Sequence, residues 1–156
     1  MKIQALVSLI VATCTLSASA ATLVEFTKGV SRFGDGDNIA ITGVSADKGT
    51  FGVGDTITVK GTCTLATHKN AKLLLSVTQD QDTAKGPAVG RGKGTSTKEI
   101  KTGTVDFEMT VSIPYEGWVH LGFYDNATGK PFGQLYFGTR EQMARIAHWN
   151  LEKNMK

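Results

Sequence analysis

Cysteine is nearly absent from this chain of 156 residues, which has only Cys14 and Cys63. Long apolar runs are missing as well. The longest lies near the start, at Ala5 to Ala12, and falls well short of the roughly 20 residues that a spanning helix needs. No excess of one charge exists, with 17 basic against 14 acidic side chains. That balance excludes a whole-protein nucleic-acid binder, which would be far more basic. Catalytic signatures are missing too. There is no Gly-x-Ser-x-Gly elbow, no His-Glu-x-x-His zinc helix and no Cys–His pair at a recognisable spacing, and the three histidines are scattered at His68, His120 and His148. No cofactor motif survives inspection. Gly86 to Thr95 looks superficially like a phosphate loop. Pro87 stands where the pattern's first glycine belongs, and Gly94 follows Lys93 where Ser or Thr is needed.

The first twenty residues are the clearest positive signal. Lys2, a short apolar stretch and the small residues Ala18-Ser19-Ala20 before Ala21 have the layout of a secretory signal peptide. The expectation is export, to the periplasm, the cell surface or the exterior, with no transmembrane segment. The competing reading is a lipoprotein box at Val11-Ala12-Thr13-Cys14, in which Thr13 is a poor fit. Cleavage after Ala20 takes the chain from 156 to 136 residues, enough for one domain with a real core. It would also remove Cys14. Cys63 then has no partner, and an internal disulfide is impossible.

Period-two alternation dominates residues 38 to 138, which predicts an all-β domain over 21–138. Ile57, Val59, Cys63 and Leu65 alternate with Thr56, Thr58, Lys60, Thr62 and Thr64. A polar turn is expected at His68-Lys69-Asn70, followed by Leu73, Leu75 and Val77. Val105, Phe107, Met109, Val111 and Ile113 form the cleanest strand, and Val119, Leu121 and Phe123 pair with Leu135 and Phe137 across a turn. About seven such strands indicate a single antiparallel sandwich, immunoglobulin-like in layout. Residues 84 to 104 read as a long mobile loop with a short edge strand near Thr97 to Ile100. Thr139-x-x-Gln142 reads as a capping box opening a C-terminal helix over 139–156. Met143, Ile146, Ala147 and Leu151 recur on one face, and Trp149 flanks it.

Phe33-Gly34-Asp35-Gly36-Asp37-Asn38-Ile39-Ala40-Ile41 and Gly54-Asp55-Thr56-Ile57-Thr58-Val59-Lys60-Gly61-Thr62 carry a resemblance. So do His120-Leu121-Gly122-Phe123-Tyr124 and Pro131-Phe132-Gly133-Gln134-Leu135-Tyr136-Phe137-Gly138. Together they resemble a group of uncharacterised exported bacterial proteins over roughly residues 33 to 138. The resemblance implies an exported immunoglobulin-like sandwich and brings no catalytic residue.

Three candidate sites follow from the residues. Alternation along the Val119, Leu121 and Phe123 strand sets Trp118, His120 and Tyr124 opposite its apolar face, with Gln134 and Tyr136 joining them from the neighbouring strand. Such a strip can stack on a sugar or anchor a partner, unless the terminal helix covers it with Met143, Ile146 and Trp149. Lys85, Arg91, Lys93, Lys98 and Lys101 make the 84–104 segment basic, suited to anionic envelope polymers or phospholipid, or simply to staying solvated. Asp35 and Asp37 are weak calcium candidates. Ile39 and Ala40 occupy positions where an EF-hand needs a ligand and a glycine, so Asx turns are expected instead, and Asp80-Gln81-Asp82 fails in the same way. Alternation places Cys63 among core residues rather than at a nucleophile position. The combined expectation is a non-enzymatic binding or scaffolding module whose partner is a protein or envelope polymer. The alternatives are a carbohydrate-binding accessory domain and a small hydrolase with unrecognised acids.

Overall fold

The computed structural model describes residues 21–79 and 94–146. It is an antiparallel all-β protein of seven strands with one short C-terminal helix, as the alternation predicts. The strands are β1 (Thr22–Leu23), β2 (Thr27–Arg32), β3 (Asn38–Ala46), β4 (Thr56–Gln79), β5 (Thr95–Ser112), β6 (Gly117–Tyr124) and β7 (Pro131–Gly138). Helix α1 (Arg140–Ile146) follows.

Two long strands organise the fold. The β4–β5 ribbon pairs from Thr56↔Ser112 to Leu65↔Gly103, then resumes from Asn70↔Lys101 to Ser76↔Thr95. Between these stretches, residues 66–69 stand opposite Thr102 alone, a large bulge of the kind that bends a strand. Gly103 lies at this crease with φ +117, a backbone state that side chains other than hydrogen rarely permit. The ribbon folds back on itself there. Its first half builds one layer with β3 and β1, and its second half builds the other with β6, β7 and β2. Hydrogen bonding therefore runs continuously through both layers of the sandwich.

The inner faces meet in one core. Ile57, Val59, Cys63 and Leu65 of the first layer share a single apolar cluster with Leu73, Leu75, Leu121, Phe123 and Phe137 of the second. Edge-to-face rings lock its rim: Phe33 lies 6.0 Å from Phe123 and Phe51 6.3 Å from Phe137. On the open side, Lys98 of the second layer donates to the Asp106 carbonyl of the first at 3.0 Å. An inward-reaching lysine at a sheet edge also discourages pairing with another chain.

Two expectations change. His68-Lys69-Asn70 is not a turn ending a strand, because β4 passes through it as the bulged crease. Residues 95–104 are not a loop: they form the first half of β5, whose backbone is paired to β4 although its side chains are mostly polar. Strands β1 and β2 carry no apolar alternation and were not expected. Each is held by backbone pairing, β1 on β3 and β2 on β7.

Candidate functional site

Strand β6 is buried on both faces from Gly117 to Phe123, which is unusual for an antiparallel strand with a polar side. Val119, Leu121 and Phe123 enter the core, so Trp118, His120 and Tyr124 project to the other face. Register brings Ser76 and Tyr136 beside His120, and Gln134 beside Gly122. Any side chain at Gly122 would press on the Tyr124 ring and on Gln134. The glycine thus lets Tyr124 lie back over the strand. Its hydroxyl reaches 3.3 Å from His120 Nε2 and accepts from Gln134 Nε2 at 3.3 Å. The other ring nitrogen, His120 Nδ1, is 3.1 Å from Thr78 Oγ1. The strip expected from sequence is assembled, with Thr78 as an added member.

This network is largely buried. His120 and Gln134 are buried, and Tyr124 is half-buried. Burial pushes the His120 pKa down to about 4, so the ring is neutral at pH 7. Burial likewise raises the Tyr136 phenol to about 12, against a hydrogen bond from Thr78 that lowers it and the nearby Tyr124, which adds to the rise. The His120 and Tyr136 rings lie 5.1 Å apart. Neutral imidazole between two hydroxyls is a stable arrangement here, since each hydroxyl can donate or accept.

Helix α1 covers one end of the strip. Met143 and Ile146 are buried in a small cluster with Trp118 and Tyr136, with Val30 of β2 packed alongside. The expected capping box is present. Gln142 N–H donates to Thr139 Oγ1 at 3.2 Å, and Thr139 N–H donates to Gln142 Oε1 at 2.9 Å. Gly29 makes the docking possible, because a Cβ there would run into the Met143 sulfur. Trp149, Ala147 and Leu151, expected on the same helix face, lie outside the described residues.

The other candidates separate cleanly. Asp35 is exposed, whereas Asp37 is buried and clamps the crease. Asp37 Oδ1 accepts from Ala66 N–H at 2.7 Å and Thr67 N–H at 3.0 Å, and Oδ2 accepts from the Thr67 hydroxyl. Burial works against the charged carboxylate, but these hydrogen bonds outweigh it and hold its pKa below the usual 3.8. Asp55, fully buried, does the same for the 48–55 turn. It accepts from Lys48 N–H, Thr50 N–H and the Thr50 hydroxyl. Both carboxylates serve the backbone. Among the described residues no group of three or more His, Cys, Asp or Glu is placed to hold a metal ion.

Of the basic set, Lys98 and Lys101 sit on β5, Lys98 being the bridge across the open side. Lys85, Arg91 and Lys93 lie outside the described residues, as do Asp80-Gln81-Asp82. Cys63 is buried and free, and burial raises its thiol pKa although Lys98 partly offsets this. An open cleft of about 380 Å³ on the outer face of the first layer is lined by Thr42, Lys60, Thr62, Asp106 and Glu108. Its Lys60–Glu108 pair, 3.3 Å apart, is solvated. No helix is long and apolar enough to cross a membrane among the described residues.

Thr78, Asp55 and Gly29 were not singled out as functional from the sequence. Only the Gly-rich turn before Asp55 hinted at its role. Thr78 and His120 meet across 42 positions, and Gly29 matters only once α1 is in place. In comparison with known proteins, no protein-family model, curated protein or solved structure matches this chain.

Proposed function

We propose that this protein is an exported, non-enzymatic β-sandwich module that binds or scaffolds at the cell envelope or outside the cell. One observation carries the reading: among the described residues, the buried groups capable of acid–base or nucleophilic chemistry are engaged in the fold itself. Asp37 and Asp55 are saturated by backbone N–H groups and hydroxyls, His120 is neutral between two hydroxyls, and Cys63 is enclosed. Catalytic acids and bases are kept where a substrate can reach them with a tuned pKa. The secretory layout of residues 1–20 and the resemblance to exported bacterial proteins support the location. The carbohydrate-binding alternative is disfavoured, because Trp118 and Tyr136 lie beneath α1 rather than open to a sugar ring.

The test is expression of the full chain in a bacterial host, followed by fractionation, intact-mass analysis and co-sedimentation with isolated envelope material. The expected result is an exported chain beginning at Ala21 that sediments with envelope material and turns over no glycoside, ester or peptide substrate. A chain held in the cytoplasm with residues 1–20 intact overturns export. Turnover abolished by a single Asp→Asn or Glu→Gln change overturns the non-enzymatic reading.

A further inference from the structure

We propose that Asp35-Gly36 is a site of spontaneous backbone modification, at which aspartate rearranges to isoaspartate and loosens the crease of the β4–β5 ribbon. The inference is independent of the binding reading and stands on the chemistry of one exposed turn. The backbone nitrogen that follows an aspartate can attack its carboxyl group and close a succinimide ring. The attack is fastest when the following residue is glycine, since a side chain shields the nitrogen. In this chain Asp35 is the one aspartate that precedes glycine, and no asparagine does.

The turn presents both reactants to water. Gly34, Asp35 and Gly36 are exposed, and Asp37 N–H closes the turn on the Gly34 carbonyl at 3.1 Å. Among the described residues no donor is paired with the Asp35 carboxylate and no acceptor with the Gly36 N–H. The carboxyl group is therefore free to rotate onto that nitrogen. The other described aspartates are engaged. Asp37, Asp47, Asp55 and Asp125 accept from backbone N–H groups, and Asp106 lies within β5 ahead of the buried Phe107. The glycine is also required by the fold. Gly36 has φ +85, and a Cβ there would stand 2.9 Å from the Ala66 Cβ.

The reaction needs no reagent but water. The Gly36 nitrogen bonds to Asp35 Cγ, and the OH of the protonated carboxyl leaves with the amide proton as one water. Water then adds at Cγ, which restores aspartate, or at the main-chain carbonyl of residue 35. In the second case the original C–N bond breaks and the backbone runs through Cβ and Cγ. The isoaspartyl chain is one methylene longer, and its free carboxylate sits on Cα. That extra length falls where the chain has no slack. Gly34 is packed so closely that a Cβ would meet Thr67 Cγ2 at 3.2 Å, and Asp37 holds the Ala66 and Thr67 N–H groups. Lengthening the turn moves Asp37 off those donors.

The experiment is ageing of the full-length chain for several weeks at 37 °C and pH 6, followed by tryptic digestion. Peptide 33–48 carries Asp35, Asp37 and Asp47. The expected result is a second species of this peptide with unchanged mass that an aspartate-directed endoproteinase no longer cuts before residue 35. A minor species lighter by one water should accompany it. Asp35→Asn reaches the same succinimide by losing ammonia and should convert faster, whereas Asp35→Glu should not convert. Conversion of the urea-unfolded chain without conversion of the folded one overturns the proposal, as does equal conversion at Asp37 or Asp47. The converted protein should lose hydrogen-exchange protection at residues 66–69 while β6 and β7 keep theirs; unchanged protection there overturns the loosening. If either variant fails to fold, fragmentation of the aged wild-type peptide decides. It must place the extra backbone methylene at residue 35, and any other position overturns the assignment.

Discussion

Removing the Asp37 carboxylate should cost about 3 kcal/mol, because it accepts the Ala66 and Thr67 N–H groups at the crease of the ribbon. Three donors converge on it, from Ala66 N–H, Thr67 N–H and the Thr67 hydroxyl. A hydrogen bond to a charged group contributes about 1.5–3 kcal/mol net, and bonds sharing one acceptor do not add fully. Asp37→Ala would leave two N–H groups of the bulge without an acceptor, while the carboxylate's own burial cost is relieved. The balance lowers the melting temperature by about 10 °C for a domain of this size. In urea the midpoint should fall by about 1–2 M with an unchanged slope. Asp37→Asn, which keeps one acceptor, should lose roughly half as much. The carboxylate's pKa is depressed in the folded state, so its stabilisation is full above 3.8 and disappears as pH falls through the folded value. The gap between wild type and Asp37→Ala should therefore narrow as the pH falls below 3.8. A loss under 1 kcal/mol at pH 7, with exchange at residues 66–69 unchanged, would refute the clamp.

Gly29→Val should unseat α1 by driving a side chain into Met143, seen as loss of helix protection with the core intact. Truncation after Thr139 removes the burial of Met143 and Ile146, roughly 3–6 kcal/mol at most. It should lower the melting temperature and promote aggregation through the bared Trp118 and Tyr136, and an unchanged melt would show that α1 adds nothing. Cys63 should react with a thiol reagent slowly in the native protein and quickly in denaturant, being enclosed and raised in pKa; rapid native labelling would contradict its position.

Much of this architecture is written in period two. The inward residues of β4, β6 and β7 and of the second half of β5 are the ones that alternation selects, since their apolar side chains recur at every second position and only that parity enters the shared core. The crease escapes that logic. His68-Lys69-Asn70 has the polarity of a turn, yet the chain stays paired because the Asp37 carboxylate, about thirty residues earlier, satisfies the bulge. Strand β2 was silent for a related reason: Thr27-Lys28-Gly29-Val30-Ser31-Arg32 is held by β7 backbone and carries almost no apolar signal. The aromatic strip was legible from the parity of β6. Its coupling to Thr78 was not, because two residues on different strands have no common periodicity.

The pairing scheme also sets an order of assembly for a chain that emerges N-terminus first. Strand β3 finds β4 quickly, and the β4–β5 ribbon closes on itself once residue 112 is free. Strand β2 has a different fate. Among the described residues its strand partner is β7, about a hundred residues later, and closing so long a loop carries an entropic cost that local pairing does not. Until Pro131–Gly138 arrives, Thr27–Arg32 waits unpaired beside a half-built sandwich. Its two lysine and arginine charges and its near-absence of apolar side chains keep that waiting strand soluble. The weak sequence of β2 is thus a safeguard during synthesis as much as an edge in the finished protein.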